Sequence, residues 1–151
     1  MFKVQVSETI LFKVEVPVKA ENGAEEKRVF HAEFKRQTRE QVRALMINMM
    51  YSRLNDEELE ELVEKNTLSE AELDALKSEK PLTDPDIISR YLVGWKDVLD
   101  HEGQPLPFSE HTRDQLMSIW PVMPCTVDAF FRAHEAPDLK NSRTPRGIGR
   151  K

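Results

Sequence analysis

The sequence predicts an α+β fold, in which an N-terminal antiparallel β-hairpin or three-stranded sheet packs against a mainly helical body. Three observations predict it. Apolar and polar residues alternate through much of the first 34 positions, which is the period of a half-buried sheet. Beyond Thr38 the apolar spacing lengthens to the three-to-four-residue period of amphipathic helices. The change of period coincides with a helix-capping pair, Thr38 and Gln41.

Phe2, Val4 and Val6 alternate with Lys3, Gln5 and Ser7, suggesting a first strand. Ile10, Phe12, Val14 and Val16 alternate with Leu11, Lys13 and Glu15 in a second. A third, Arg28 to Phe34, sets Phe30, Ala32 and Phe34 on one face. Asn22-Gly23 signals the turn between the last two. A two-residue turn centred there would pair Val16 with Val29 and put Phe30 and Phe34 on the wrong face. Pairing Val16 with Phe30, Val14 with Ala32 and Phe12 with Phe34 restores a common apolar face. The expected hairpin therefore has an odd-length loop or a bulge near Gly23. Lys19 to Lys27 holds no large apolar residue, so the strands should stop near Val18.

The first helix carries Val42, Leu45, Met46, Met49 and Met50 on one face, widened by Ile47, Tyr51 and Leu54. Residues 55 to 80 hold ten acids and three lysines. Asn55 with Glu58, and Ser69 with Glu72, are caps for two short helices there. Their apolar content is thin: Leu59, Leu62 and Val63, then Leu68, Leu73 and Leu76. This acidic stretch is expected to be loosely packed or to project from the body. Asp84-Pro85 opens another helix. Its stripe of Ile87, Ile88, Tyr91, Leu92, Trp95, Val98 and Leu99 predicts a helix ending before Gly103, with Gly94 allowing close approach by another element. Leu106 and Phe108 should anchor the proline loop that follows. Ser109 caps a helix expected to reach Trp120, with Leu116, Ile119 and Trp120 inward and Pro121 and Pro124 ending it. A last short helix contains Val127, Phe130 and Phe131.

These elements make a single domain over residues 1–137, with strands at about 2–34 and helices at about 38–135. Residues 138–151 read as a flexible basic C-terminal tail. The chain has 151 residues and a formal charge of −5, a length suited to one core. Its single cysteine, Cys125, excludes an intrachain disulfide framework and fits a reducing compartment. No apolar run approaches the length of a membrane span, and charges at Lys13, Glu15, Lys19 and Glu21 interrupt any signal-like segment. The acidic balance gives no reason to expect general nucleic-acid binding.

Catalytic and metal chemistry find little support in the spacing. There is no glycine-rich phosphate loop, no G-x-S-x-G and no CxxC. His31, His101, His111 and His134 lack metal-site spacing, and His101 meets His111 only if the proline loop folds back. Cys125 stands near a helix start but has no neighbouring base in sequence. Asp97, Asp100, Glu102 and Gly103 look superficially like a calcium loop but lack its ligand spacing and closing glutamate. No catalytic residue, cofactor or metal is expected.

The ordered blocks resemble the tail assembly chaperones of long-tailed bacteriophages and their prophage relatives. The likeness is carried by Val29-Phe30-His31-Ala32-Glu33-Phe34-Lys35 before the helix from Thr38. It continues through Tyr91-Leu92-Val93-Gly94-Trp95-Lys96-Asp97-Val98 with Asp100 and Gly103, then Pro105-Leu106-Pro107-Phe108-Ser109. It ends with Asp138-Leu139-Lys140-Asn141. The resemblance implies a non-enzymatic protein of the host bacterial cytoplasm, absent from the mature virion. It would keep the tape-measure protein soluble and help to recruit the tail-tube protein. A frameshifted longer form of the chain is a further implied partner.

Such a role calls for apolar grooves with a charged rim. Met46, Met49, Met50, Tyr51, Trp95, Trp120, Phe130 and Phe131 are the candidate partner-binding residues. Each has a competing role in the core, which comes first because a folded monomer must bury its best apolar residues. Two other functions stay open. A minor structural tail component would remain in purified tails. A nucleic-acid-binding adaptor would act through the basic tail in a salt-dependent manner.

Overall fold

The computed structural model describes residues 2–136. The element order is β1 (Thr9–Lys19), β2 (Glu25–Lys35), α1 (Arg39–Tyr51), α2 (Asp56–Glu64), α3 (Glu70–Ser78), α4 (Asp84–Tyr91), β3 (Leu92–Lys96), α5 (Glu110–Met117) and α6 (Val122–Ala133). The expected basic tail at 138–151, including the Asp138–Asn141 block, lies outside the described residues. The α+β architecture is as the periodicity indicates: the described residues form a three-stranded antiparallel sheet, ordered β1-β2-β3, with six helices.

The hairpin keeps the expected faces with a different register. Val14 pairs with Phe30, Phe12 with Ala32 and Ile10 with Phe34, a shift of two residues from the expected pairing. The loop centres on Asn22 rather than Gly23. Ala20 donates to the Ala24 carbonyl at 2.8 Å, and the Gly23 N–H donates to Ala20 at 2.9 Å. Gly23 takes a φ of +83°, the left-handed conformation that closes a three-residue loop without a Cβ penalty. A shift of two residues preserves side-chain parity, so Val14, Val16, Phe30, Ala32 and Phe34 remain buried.

The sheet's third strand is not the N-terminal segment. Residues 2 to 7 are not in a strand, and Phe2 and Val4 are 85% and 99% exposed. Alternation alone does not provide a strand with a partner, and β2 is already paired on both sides. The third place belongs to β3, which the helical stripe beyond Tyr91 hides. The chain leaves the helix at Leu92 and pairs Trp95 with Ala32 and Gly94 with Glu33. The expected helix from 84 to before Gly103 is thus shortened to eight residues. Gly94 does permit close approach, though from a strand. A Cβ there would lie 2.5 Å from Glu33 Oε1.

The helical body departs from expectation again at 117–124. α5 ends at Met117, and Ile119 and Trp120 point outward instead of into the core. Ile119 and Val122 N–H groups bond back to Leu116 and Ile119 carbonyls, turning the chain before α6. Met117 supplies the buried side chain of this region. Pro124 does not end a helix; it occupies the first turn of α6, where a missing N–H costs no helical bond.

Two apolar clusters organise the interior. The larger gathers Val14, Val16, Phe30, Ala32 and Phe34 of the sheet with Ile87, Ile88, Val122, Val127 and Phe130. The smaller joins Ile47 to Leu59, Leu68, Leu73 and Leu76. The few leucines of the acidic stretch therefore close their own core against α1. Capping boxes at Asn55–Glu58 and Ser69–Glu72 fix its helix starts.

Candidate functional site

The eight candidate residues separate into four environments. Phe130 lies at the centre of the larger core and is 0% exposed. Its ring meets Phe34 at 5.5 Å, Tyr91 at 4.9 Å, Phe131 at 5.2 Å and His134 at 4.7 Å. Phe131 is half-buried against that core. Phe130 is thereby a packing residue and is not available to a partner. Trp95 holds the proline loop: its indole N–H donates to the Leu106 carbonyl at 2.8 Å, and its ring meets Phe108 edge-on at 4.9 Å. The expected anchoring by Leu106 and Phe108 depends on this contact.

Met46, Met50 and Tyr51 come together. They line a groove of about 360 Å³ along α1, with Val42 and Ile47 in its floor, and Arg39, Arg43, Thr67 and His134 around it. Met50 is 60% exposed. Met49 turns to the other side of α1. It joins Trp120, Met117 and Met123 in a second cleft of about 650 Å³, bordered by Arg53 and Asp84. Trp120 is 80% exposed there. Methionine suits both surfaces because an unbranched thioether adapts to irregular partners.

A third cleft, of about 490 Å³, has no counterpart among the candidates. Val16, Val18 and Phe30 of the hairpin face Val98, Leu99, Leu116 and Ile119 across it, with Arg28 and Asp97 at the edge. Leu99 is 58% exposed, and Ile119 and Val29 are also open to solvent. Val29 carried a usable sequence signal: it is an apolar residue on the otherwise polar face of its strand. Ile119 carried none, because its helical spacing points inward and only the early end of α5 turns it out.

Several polar groups of the surface bond within the fold. His134 Nε2 accepts the Gln37 N–H at 3.0 Å, and its Nδ1 lies 2.8 Å from the Phe130 carbonyl. An accepting Nε2 assigns the proton to Nδ1, which donates to that carbonyl. His31 Nδ1 lies 2.8 Å from Asp97 Oδ2 on the exposed surface. Asp100 is a loop cap: Oδ1 accepts the N–H groups of Glu102 and Gln104, both at 2.9 Å, and the Gln104 bond leads in lowering its pKa. Burial pushes the Cys125 thiol up, and the charge of Asp128 adds to the effect. Among the described residues, no three His, Cys, Asp or Glu side chains form a group that could hold a metal ion. No helix among the described residues is long and apolar enough to cross a membrane.

The three clefts combine apolar walls with charged residues at their borders. Comparison with protein-family models, curated proteins and solved structures finds no match.

Proposed function

We propose that this chain is a non-enzymatic tail assembly chaperone of a long-tailed phage or prophage. It acts in the host cytoplasm, holds the tape-measure protein soluble and helps to bring tail-tube subunits to it. The observation that carries the reading is the cleft between the hairpin and α5, where Leu99, Ile119 and Val29 stay open to solvent at an apolar concavity. Its volume of about 490 Å³ takes a few large side chains rather than a whole helix. Apolar residues at i and i+4 of an amphipathic helix present such a set. Arg28 and Asp97 at the rim keep the unoccupied surface wet. The ordered likeness to the chaperone family supplies the identity of the helical client.

Co-expression with the tape-measure protein encoded in the same genome tests the reading. The client should stay soluble and co-purify with this chain, and the pair Leu99→Ser with Ile119→Ser should lose the complex while remaining folded. A client that precipitates equally with and without this chain, with no complex formed, sinks the proposal.

A further inference from the structure

α2 and α3 meet the rest of the molecule along a narrow seam. The leucines of this segment, Leu59, Leu68, Leu73 and Leu76, are buried with Ile47 of α1 in the smaller cluster. Among the described residues that cluster shares no member with the larger one. Ile47 is the buried contribution of α1, with Tyr51 half-buried beside it. Clefts of about 360 and 240 Å³ lie on the two sides of Ile47, so the seam is incompletely packed. An ion pair crosses it, Arg43 to Glu72 at 2.7 Å, but the guanidinium is exposed and the pair contributes little.

The segment does not hold itself rigid either. Residues 55 to 80 carry ten acids against three lysines, and α2 alone has six acids in nine residues. Like charges three and four residues apart repel. Helices of nine residues depend on tertiary packing for their shape. Both ends of the segment are fixed: α1 runs into it, and the Asn48 amide holds Lys80 and Leu82 where it leaves. Loss of the seam therefore moves α2 and α3 together and leaves the larger core, with Ile87 and Phe130 sealed inside, intact.

We propose that α2 and α3 form a displaceable cover on α1. It opens as one unit, and the stripe it uncovers receives a helical segment of the client. In the open state Ala44 and Ile47 join the exposed Met46 and Met50 on a helix whose 13 residues rise about 20 Å. That length suits a helix, whereas each flanking cleft takes only a few side chains. α3 itself displays the pattern that fits, with Leu73 and Leu76 three residues apart and packed with Ile47. A client helix with leucines at that spacing takes its place. The docking step rests on the chaperone reading; the opening step does not.

Hydrogen–deuterium exchange on the full chain, read by mass spectrometry, tests both steps. Without client, peptides from α2 and α3 should share one opening rate, at least about tenfold faster than that of β1 and β2. Ile47→Ala should widen the gap by about tenfold or more, because it truncates the buried side chain of the seam and leaves the larger core untouched. Exchange of α2 and α3 at the rate of the strands overturns the cover, as does equal acceleration of every element by Ile47→Ala. In the complex with co-expressed tape-measure protein, α2 and α3 should exchange faster than in the free chain while α1 slows. A complex that leaves α2 and α3 as protected as before overturns the docking step, with the chaperone reading intact. Failure to form any complex sinks that reading and the docking step with it, and the free-chain rates still decide the cover.

Discussion

Asn48 of α1 accepts the N–H of Leu82 at 2.8 Å through Oδ1, and its Nδ2 donates to the Lys80 carbonyl at 3.1 Å. One buried amide thus fastens the segment entering α4 to the helix between the two cores. Asn48→Leu would keep the volume but leave both backbone groups without their partner. The expected loss is about 3 kcal/mol, since each buried unsatisfied group costs about 1–3 kcal/mol. Urea unfolding of the variant checks it, and an unchanged midpoint would show the clamp to be dispensable.

Glu33 and Gly94 make a second test. Glu33 Oε2 accepts the Thr9 hydroxyl at 2.9 Å while Oε1 occupies the space over Gly94. Gly94→Ala forces the carboxylate aside and should cost about 1 kcal/mol through the lost hydrogen bond. In a Glu33→Ala background the same change should cost almost nothing, so a double-mutant cycle isolates the contact.

Core and surface aromatics should separate cleanly. Phe130→Ala removes the centre of the larger core and should destabilise by about 3–5 kcal/mol. Trp120→Ser touches an exposed ring and should change stability by less than about 0.5 kcal/mol. Thermal unfolding of the two variants provides the comparison. A large loss from Trp120→Ser would mean that its ring supports the fold.

The Glu72 carboxyl has a defined acid response. Its bond to Arg43 lowers its pKa most, followed by the Ser69 N–H. A lowered carboxylate contributes stability that is complete above its ordinary value, 4.5, and is lost as pH falls through the lower folded value. Glu72→Gln should therefore narrow the stability difference from wild type as the pH drops below 4.5. Arg43 is exposed and Glu72 only half-buried, so solvent screening keeps the effect small. Urea midpoints measured across that interval decide it.

Cys125 should react slowly with iodoacetamide at neutral pH. Burial raises its pKa first, with Asp128 adding to it, so the thiolate is scarce. Asp128→Asn should speed alkylation modestly. A rapid neutral-pH reaction in the wild type would contradict this environment.

Capping was legible because it is local. Thr38 with Gln41, Asn55 with Glu58 and Ser69 with Glu72 each satisfy reciprocal backbone groups in the folded chain. Ser109 caps its helix too, with Thr112 as the reciprocal partner. Candidate surfaces were legible only in part. Met46 and Met50 fall on an open groove, yet Phe130, at similar helical spacing, is sealed in the core. Periodicity identifies an apolar face but not what covers it.

Residue order alone determined the faces of the hairpin, the positions of the caps and the change from strand to helix near Thr38. Each follows from side-chain parity, a nearby donor and acceptor, or the pitch of a helix. Tertiary structure decided which segment became the third strand. Residues 2 to 6 and residues 92 to 96 both offer apolar side chains, but the open edge of β2 receives the second segment. There Gly94 gives Glu33 room and the Trp95 indole finds the Leu106 carbonyl. A strand is stabilised by hydrogen bonds to a partner distant in sequence, so its own pattern cannot specify that partner.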